Sequence, residues 1–284
     1  MASTAKRRQK RESVFIFGAG KVGANLARAL RATGVSVELR AARQGLPKKP
    51  IDAKVVIVAV RDGDVPKVAA ALAERGLVGH LPVSILHCAG ALGPDALAAA
   101  RVGKARVAQM HPMISFASTH SLPGLERGQL HVDGDAAAVK TARAIGRKLR
   151  MSPRTITGLD HVAYHAAAGL VANGAAALAA GGAELLERAG VDAATAAKML
   201  GPLLRSVAQN VEELGLPQAL TGPVRRGDAG AVERHIATIG RLAPRLAQLY
   251  AAAAAAQLPL ARELGEAPSE NFDAIEQLLA RLPG

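Results

Sequence analysis

Aromatic residues are nearly absent from this sequence, at 2% of 284 residues, with no tryptophan, two tyrosines and four phenylalanines. A surface that stacks the bases of single-stranded nucleic acid needs exposed aromatic rings, so this class of protein is disfavoured. Hydrophobic residues still make up 50% of the chain. The interior must therefore be built from alanine, leucine, valine and glycine, which favours closely packed helices.

Cysteine is also scarce, because Cys88 is the only cysteine in the sequence. This excludes internal disulfides and a cysteine-based zinc cluster, and it is typical of a reducing, cytoplasmic setting. Long apolar segments are also lacking. The longest weakly polar stretch, residues 166–183, is alanine and glycine interrupted by Asn173, and its transfer energy is too small to predict a membrane span.

Acidic residues are outnumbered, since 36 lysines and arginines face 23 aspartates and glutamates, a net charge of +13. The excess suits a polyanion, but the arginines are scattered among alanines and leucines without a motif, so nucleic-acid binding is not expected. Residues 1–12 are basic and lack the apolar core of a signal peptide. They are predicted to form a disordered tail.

Alternating strand and helix patterns fill the first half of the chain. Apolar runs typical of buried strands lie at 14–17, 35–39, 55–60, 83–86 and 107–110, and helical patterns separate them. This alternation predicts an α/β, doubly wound Rossmann-type sheet over residues 13–157, with one last short strand near 154–156. Helical patterns alone follow, at 161–188, 193–214, 229–256 and 272–282. They predict an all-α domain over residues 158–284.

A glycine pattern follows the first strand directly. Gly18-Ala19-Gly20-Lys21-Val22-Gly23 ends a buried strand and opens a helix, which is the context that a dinucleotide fingerprint requires. Gly18 permits the turn, Gly20 lets the backbone approach a pyrophosphate, and Gly23 allows close packing of helix on sheet. We therefore expect all six residues to contact the cofactor.

The end of the second strand decides which nucleotide is bound. Glu38 has the spacing of a residue that binds the ribose hydroxyls, but it lies inside the strand. Arg40 and Arg43 lie at or beyond the strand end, where a guanidinium suits a 2′-phosphate. NADP(H) is therefore the preferred cofactor, and NAD(H) is the alternative.

Several further segments carry a resemblance to a known family. They are Val58-Ala59-Val60-Arg61-Asp62, His87-Cys88-Ala89-Gly90, His111-Pro112-Met113, Tyr164-His165-Ala166-Ala167-Ala168 through Asn173, and Leu220-Thr221-Gly222-Pro223-Val224-Arg225-Arg226-Gly227-Asp228 with His235. With the glycine pattern, they resemble Rossmann-like oxidoreductases with a C-terminal helical domain of unknown function, relatives of the 6-phosphogluconate and beta-hydroxyacid dehydrogenases.

The resemblance implies an oxidoreductase that uses NAD(P) or a deazaflavin, and part of the family looks like an alternative ketopantoate reductase. It also implies cofactor contacts from Val60, Asp62 and His87. Two departures stand out: Arg61 replaces the usual proline, and Cys88-Ala89 replaces the segment that usually carries a serine. Cys88 is not expected to be a nucleophile, because apolar surroundings raise a thiol pKa.

Reduction of a carbonyl by hydride transfer needs a group that protonates the developing alkoxide. Related dehydrogenases use a lysine four residues before an asparagine, but here Gly169 stands four residues before Asn173. His165 lies eight residues before Asn173, about 80° away on a helix. His165 is therefore the first candidate for proton donor, with Asn173 orienting the substrate or cofactor amide; a helix-packing role for His165 is the alternative. Tyr164 and His111 are the other candidate donors.

Two more sets of polar residues complete the expected site. His161 and His165 have the spacing of a metal pair, but no local third ligand joins them, so no metal is expected. Between two helices, Arg225 and Arg226 could hold a substrate carboxylate, with Thr221 adding a hydroxyl and Asp228 fixing the loop or capping the next helix. The alternative is a capped turn with solvated arginines. Asp160 and Asp192 are predicted helix caps.

Together these features favour an NADP-dependent reductase of a small carbonyl acid, possibly ketopantoate to pantoate. Reduction of an imine or another 2-oxo acid is one alternative, and a catalytically silent dinucleotide-binding regulator is another. A nucleic-acid role for the basic tail is the least favoured. We expect a homodimer through the C-terminal half.

Overall fold

The computed structural model describes residues 13–121 and 123–282, so the predicted basic tail at 1–12 lies outside the described residues. The chain forms two compact units that divide after Gly169. The boundary expected from the sequence followed residue 157. One long helix, described below, runs across the observed division.

The first unit contains a seven-stranded sheet in the order β2-β1-β3-β4-β5-β6-β7. All neighbouring strands are parallel except β5 and β6, which are antiparallel. The strand order reverses between β1 and β3, where open α/β sheets bind their ligands. The strands are β1 (Ser13–Phe17), β2 (Ser36–Arg40), β3 (Val55–Val58), β4 (Val83–His87), β5 (Ala105–Pro112), β6 (Gln129–Gly134) and β7 (Ser152–Arg154).

Both faces of this sheet are covered. Val14 and Ile16 pack with Leu26 and Leu30 on one face, while Phe15 and Phe17 belong to a second core on the other. Because successive strand residues point to opposite faces, the uninterrupted apolar run of β1 is explained. The covering helices are α1 (Lys21–Ala32), α2 (Val65–Glu74) and α3 (Ala136–Lys148), with short 3-10 helices at Ala42–Gln44, Asp62–Asp64 and Pro94–Ala100.

The second unit is helical and has its own core, which includes Val232, Phe272 and Ile275. The segment predicted as one helix over 229–256 is divided, because Pro244 interrupts it and starts a 3-10 turn. The helices are α4 (His161–Arg188), which begins in the first unit, α5 (Ala193–Leu214), α6 (Ala229–Leu242), α7 (Ala247–Ala255), α8 (Leu258–Leu264) and α9 (Ser269–Ala280).

Helix starts follow the predicted caps. The Asp192 carboxylate accepts a hydrogen bond from the Thr195 amide at the start of α5, and Asp160 accepts from the amides of Val162 and Ala163 at the start of α4. Both aspartates are therefore helix caps, as predicted.

Helices α4 and α5 expose apolar side chains. Leu170 is 78% exposed and Val171 72% on α4, and Leu203 and Val207 are exposed on α5. By length and composition alone, α4 is also able to cross a membrane, and 6% of its most apolar stretch is buried. No membrane-spanning segment was predicted from the sequence.

Candidate functional site

A cavity of about 1200 Å³ opens at the carboxyl ends of the parallel strands in the first unit. Residues that follow β1, β2, β3, β4 and β5 line it, together with His165 of α4. The predicted site residues among them are Gly18, Ala19, Gly20, Lys21, Val22, Arg43, Val60, Asp62, His111 and His165. This is the position where the strand order predicts a ligand.

The turn after β1 depends on two glycines that admit no side chain. Gly18 has a φ of +114°, and a Cβ there would lie 2.1 Å from the Ala59 carbonyl oxygen. A Cβ on Gly23 would lie 1.9 Å from the Gly18 carbonyl oxygen. Gly18 also donates its amide to the Arg40 carbonyl at 2.8 Å. The turn is therefore pressed against the ends of both β2 and β3.

Gly20 differs, because a Cβ there would meet no heavy atom within 4 Å. Gly20 is the N-cap of α1, no side chain caps that helix, and its first turn holds no acidic residue. The helix N-terminus therefore presents its amides and the positive end of its dipole to the cavity. These features fit the pyrophosphate of a dinucleotide.

The two arginines after β2 occupy different surroundings. Arg43 lines the cavity, and its guanidinium has no hydrogen bond or ion pair within residues 13–121 and 123–282. Arg40 is not among the lining residues, since its Nε donates to the Gly45 carbonyl at 2.6 Å and its Nη2 to that of Gln44 at 3.1 Å. Glu38 does not line the cavity either. Arg43 therefore remains the residue suited to a 2′-phosphate.

His87 lies beneath the cavity wall rather than on it. Its ring is buried, its Nδ1 accepts a hydrogen bond from the Ala89 amide at 3.2 Å, and its Nε2 lies 3.0 Å from the Gly93 carbonyl oxygen. Burial lowers its pKa to about 4, so the neutral ring donates through Nε2. The structure thus gives His87 a loop-holding position instead of the expected cofactor contact. Neighbouring Cys88 lines the cavity, and burial raises its pKa to about 12.

His111 and Tyr164 form a hydrogen-bonded pair. The Tyr164 hydroxyl lies 3.1 Å from Nδ1 of His111. Burial, and then the neighbouring His165, lower the pKa of His111 to about 4, while burial raises the pKa of Tyr164. At neutral pH both groups are therefore uncharged, and the hydrogen bond couples the His111 tautomer to the hydroxyl: the ring proton is on Nε2 where the tyrosine donates to Nδ1, and on Nδ1 where the ring donates to the tyrosine oxygen.

The two cavity histidines meet at Gly90. A Cβ on Gly90 would lie 2.3 Å from Nδ1 of His165 and 2.8 Å from Nε2 of His111. The ring centroids of His111 and His165 are 5.9 Å apart, edge to face. Gly90 is thus a residue of the site that was not predicted, although the segment His87 to Gly90 was noted. The need for glycine is evident only from the position of Gly90 between two histidines that are far apart in the sequence.

A loop after β5 closes another part of the wall through Ile114 and Phe116. The buried Asn25 amide donates to the Ser118 carbonyl at 2.7 Å, and Arg28 donates to that of Thr119 at 2.6 Å. Helix α1 therefore anchors this loop. This contact was not predicted from the sequence, because the residues of α1 and of the loop that form it are more than 90 residues apart.

The remaining predicted residues belong to the second unit, where Asn173 is exposed on α4 about 12 Å along the axis from His165. Arg225 binds both oxygens of Glu266, at 2.6 and 2.8 Å, and donates to the carbonyls of Gln218 and Leu220. In this structure most of its donors are engaged, which favours the alternative of a structural role in the turn, and its role as a substrate ligand stays a prediction. Asp228 accepts the Ala231 amide and caps α6.

Thr221 and Arg226 are exposed, and neither side chain has a partner within the described part of the chain. They are the members of the predicted substrate loop that remain free to contact a ligand. Within residues 13–121 and 123–282, no group of three histidine, cysteine, aspartate or glutamate side chains is arranged to hold a metal ion.

Comparison with known proteins supports the fold. Residues 129–257 match a family model described as a domain of unknown function, DUF2520. A search of curated proteins gives no match. Three similar solved structures, all under 25% identical to this chain, show the Rossmann-type fold.

One is a Bacteroides fragilis protein provisionally named an NADP oxidoreductase, with 20% identity, a TM-score of 0.70, and coverage of 88% of this chain and 98% of that one. Another is Plasmodium falciparum pyrroline carboxylate reductase with NADP bound, with 12% identity, a TM-score of 0.58, and coverage of 90% and 99%. A third is Streptomyces aurantiacus imine reductase, with 18% identity, a TM-score of 0.55, and coverage of 94% and 99%.

Proposed function

We propose that this protein is an NADP(H)-dependent oxidoreductase that reduces a C=O or C=N bond in a small acid. The observation that carries the proposal is one cavity with an uncapped glycine-turn helix on one wall and the His111–His165 pair on another. The named functions of the similar structures, an NADP oxidoreductase, a pyrroline carboxylate reductase and an imine reductase, support the same class.

In this proposal the cofactor supplies the hydride, and the chain holds and polarises the substrate. The turn at Gly18 to Gly23 binds the pyrophosphate, Val60 and Asp62 border the nucleotide, and Arg43 binds the 2′-phosphate. NAD(H) and a deazaflavin remain the alternatives for the same site.

His165 is our candidate for the proton donor, because it lines the cavity next to His111 and Gly90. His111 would donate a hydrogen bond from Nε2 to the substrate oxygen or nitrogen, with Tyr164 fixing the tautomer. Asn173 would orient the substrate or the cofactor amide. Thr221 and Arg226 would contact the substrate acid group.

The substrate is best sought among 2-oxo acids and cyclic imino acids. Ketopantoate follows from the family resemblance, and a pyrroline carboxylate follows from the similar solved structures. NADPH oxidation should be measured with both, and with NADH in place of NADPH. Saturable NADPH binding without turnover on a broad panel would favour a regulatory dinucleotide-binding protein. No binding of any nicotinamide nucleotide would overturn the proposal.

We also propose a homodimer that forms through the C-terminal half. The support is the apolar surface of α4 and α5, since a soluble monomer rarely exposes so many large apolar side chains on adjoining turns. A membrane surface is the competing occupant of these two helices.

A further inference from the structure

We propose that Arg61 is a second cation for the 2′-phosphate of NADP(H), acting with Arg43 from the other side of the glycine turn. Arg61 was not among the expected cofactor contacts, and it was noted only as a departure from the family that the chain resembles. The inference rests on the proposed function, and it adds a residue that decides between NADPH and NADH.

The packing of Gly18 brings the loops that carry Arg43 and Arg61 close to the same turn. Gly18 donates to the carbonyl of Arg40 at the end of β2, and it lies against the carbonyl of Ala59 just past β3. Arg43 comes three residues after the first contact, and Arg61 two residues after the second. Since β1 separates β2 from β3, the two loops flank the turn about 10 Å apart, within reach of two long side chains.

The charges around the cavity leave both guanidinium groups free. Arg43 and Arg61 both line the cavity, and neither side chain has a hydrogen bond or ion pair in the described part of the chain. Two carboxylates, Asp62 and Asp64, line it as well, and Asp64 lies 3.8 Å from the ammonium of Lys67. Two like charges at the border of one cavity repel each other unless an anion binds between them. A phosphate monoester carries nearly two negative charges and three acceptor oxygens.

Arginine suits this position for a geometric reason as well. Its planar fork binds phosphate oxygens in pairs, which a lysine ammonium cannot do. The competing role is stacking of the Arg61 guanidinium on the adenine ring. Stacking would strengthen NADH and NADPH equally, so the two roles differ in a measurable way.

The test is calorimetric titration of the full chain with 2′,5′-ADP and with 5′-AMP, which differ by the 2′-phosphate. Arg61→Ala should weaken 2′,5′-ADP by about tenfold or more and leave 5′-AMP within about twofold. Arg43→Ala should behave alike, and Arg61→Lys should fall between Arg61→Ala and the unaltered protein. The control is Arg147→Ala, since Arg147 is exposed on α3 outside the cavity and its side chain has no partner among the residues that the structure describes.

Equal weakening of both nucleotides by Arg61→Ala would mean adenine stacking and would overturn the inference, as would unchanged binding of both. If the unaltered protein binds neither 2′,5′-ADP nor NADPH, the proposed function itself fails. If it binds both and Arg61→Ala has no effect, only the role of Arg61 fails. Melting temperatures of each variant exclude loss of fold as the cause.

Discussion

The Tyr164 hydroxyl lies 3.1 Å from Nδ1 of His111, and in the proposed function it donates to that nitrogen, which places the His111 proton on Nε2. His111 lies near the end of β5, and Tyr164 lies in the first turn of α4. The pair therefore links the sheet to the first turn of α4, next to the part of the cavity that His165 lines.

Removal of the Tyr164 hydroxyl should impair turnover and spare cofactor binding. In Tyr164→Phe, Nδ1 of His111 loses its donor, so both tautomers form and Nε2 no longer carries the proton consistently. We expect kcat to fall by about 10- to 100-fold, with the Kd for NADPH unchanged by fluorescence titration. Tyr250→Phe is a matched control, because that hydroxyl lies 3.0 Å from Nδ1 of His235 in the second unit. Equal effects of the two substitutions would contradict the role of Tyr164.

A methyl group at position 90 should separate the two cavity histidines. Because a Cβ on Gly90 would lie 2.3 and 2.8 Å from their nitrogens, Gly90→Ala must displace His165, His111 or both. Turnover should fall by about tenfold or more while the far-ultraviolet circular dichroism spectrum stays the same. Gly240→Ala on α6 is the control, since a Cβ there meets nothing within 4 Å. Normal kinetics in Gly90→Ala would show that the histidine pair does not act in the reaction.

Stability should decrease as the pH falls from about 6.5 towards 4. Burial lowers the pKa values of His87 and His111 to about 4, below that of an unfolded histidine, about 6.5. The unfolded chain therefore binds more protons in this window, and the native state loses up to about 3 kcal/mol for each histidine. Urea unfolding at pH 7.5 and 5 should show the loss.

The variant His111→Gln should flatten that dependence, because it removes one of the rings whose pKa burial lowers. His80→Gln removes an exposed histidine and should leave the dependence as it is. An unfolding free energy that is the same at pH 7.5 and 5 in the unaltered protein would contradict the burial of both rings.

The sequence predicts the parts of this protein that local patterns encode. The strands near 14–17 and 83–86 and the helices 161–188 and 193–214 are confirmed, because unbroken apolar runs and clear caps define them. Strand β6 and helix α3 were not predicted. Gln129–Gly134 mixes polar and apolar residues, and β6 is antiparallel to β5 in a sheet whose other neighbouring strands are parallel. Within the site, the glycine turn is local and was predicted.

The contacts that were missed join residues far apart in the chain. Gly90 is required by His111 and His165, and Arg225 is engaged by Glu266, 41 residues later. Neither the histidines that contact Gly90 nor the glutamate that binds Arg225 can be identified from spacing or composition, because other histidines and glutamates in the sequence fit equally well. The sequence therefore identified the segments of the site better than it identified each residue's role.

Substitutions of the adjacent residues Arg225 and Arg226 should have different effects on stability and on substrate binding. Arg225→Ala breaks a two-bond ion pair with Glu266 and two hydrogen bonds to carbonyls, so it should lower the Tm with little effect specific to KM. Arg226→Ala removes a side chain that has no partner among residues 13–121 and 123–282, so it should leave the Tm unchanged and raise KM for the acid substrate. Thermal melts and steady-state kinetics check both. The reverse pattern would restore the original assignment of Arg225 to the substrate.

The exposed stripe on α5 should hold two copies of the chain together. Met199, Leu203, Val207 and Val211 recur every four residues, so they lie on one face of the helix, and all are exposed. The double variant Leu203→Asp, Val207→Asp places charges in that face and should convert a dimer to a monomer in sedimentation equilibrium, whereas Leu81→Asp alters an exposed leucine of the first unit and should not. If the unaltered protein is a monomer that floats with lipid vesicles, this surface binds a membrane instead. If it is a monomer that does not bind vesicles, the stripe has neither partner and the proposed dimer is overturned.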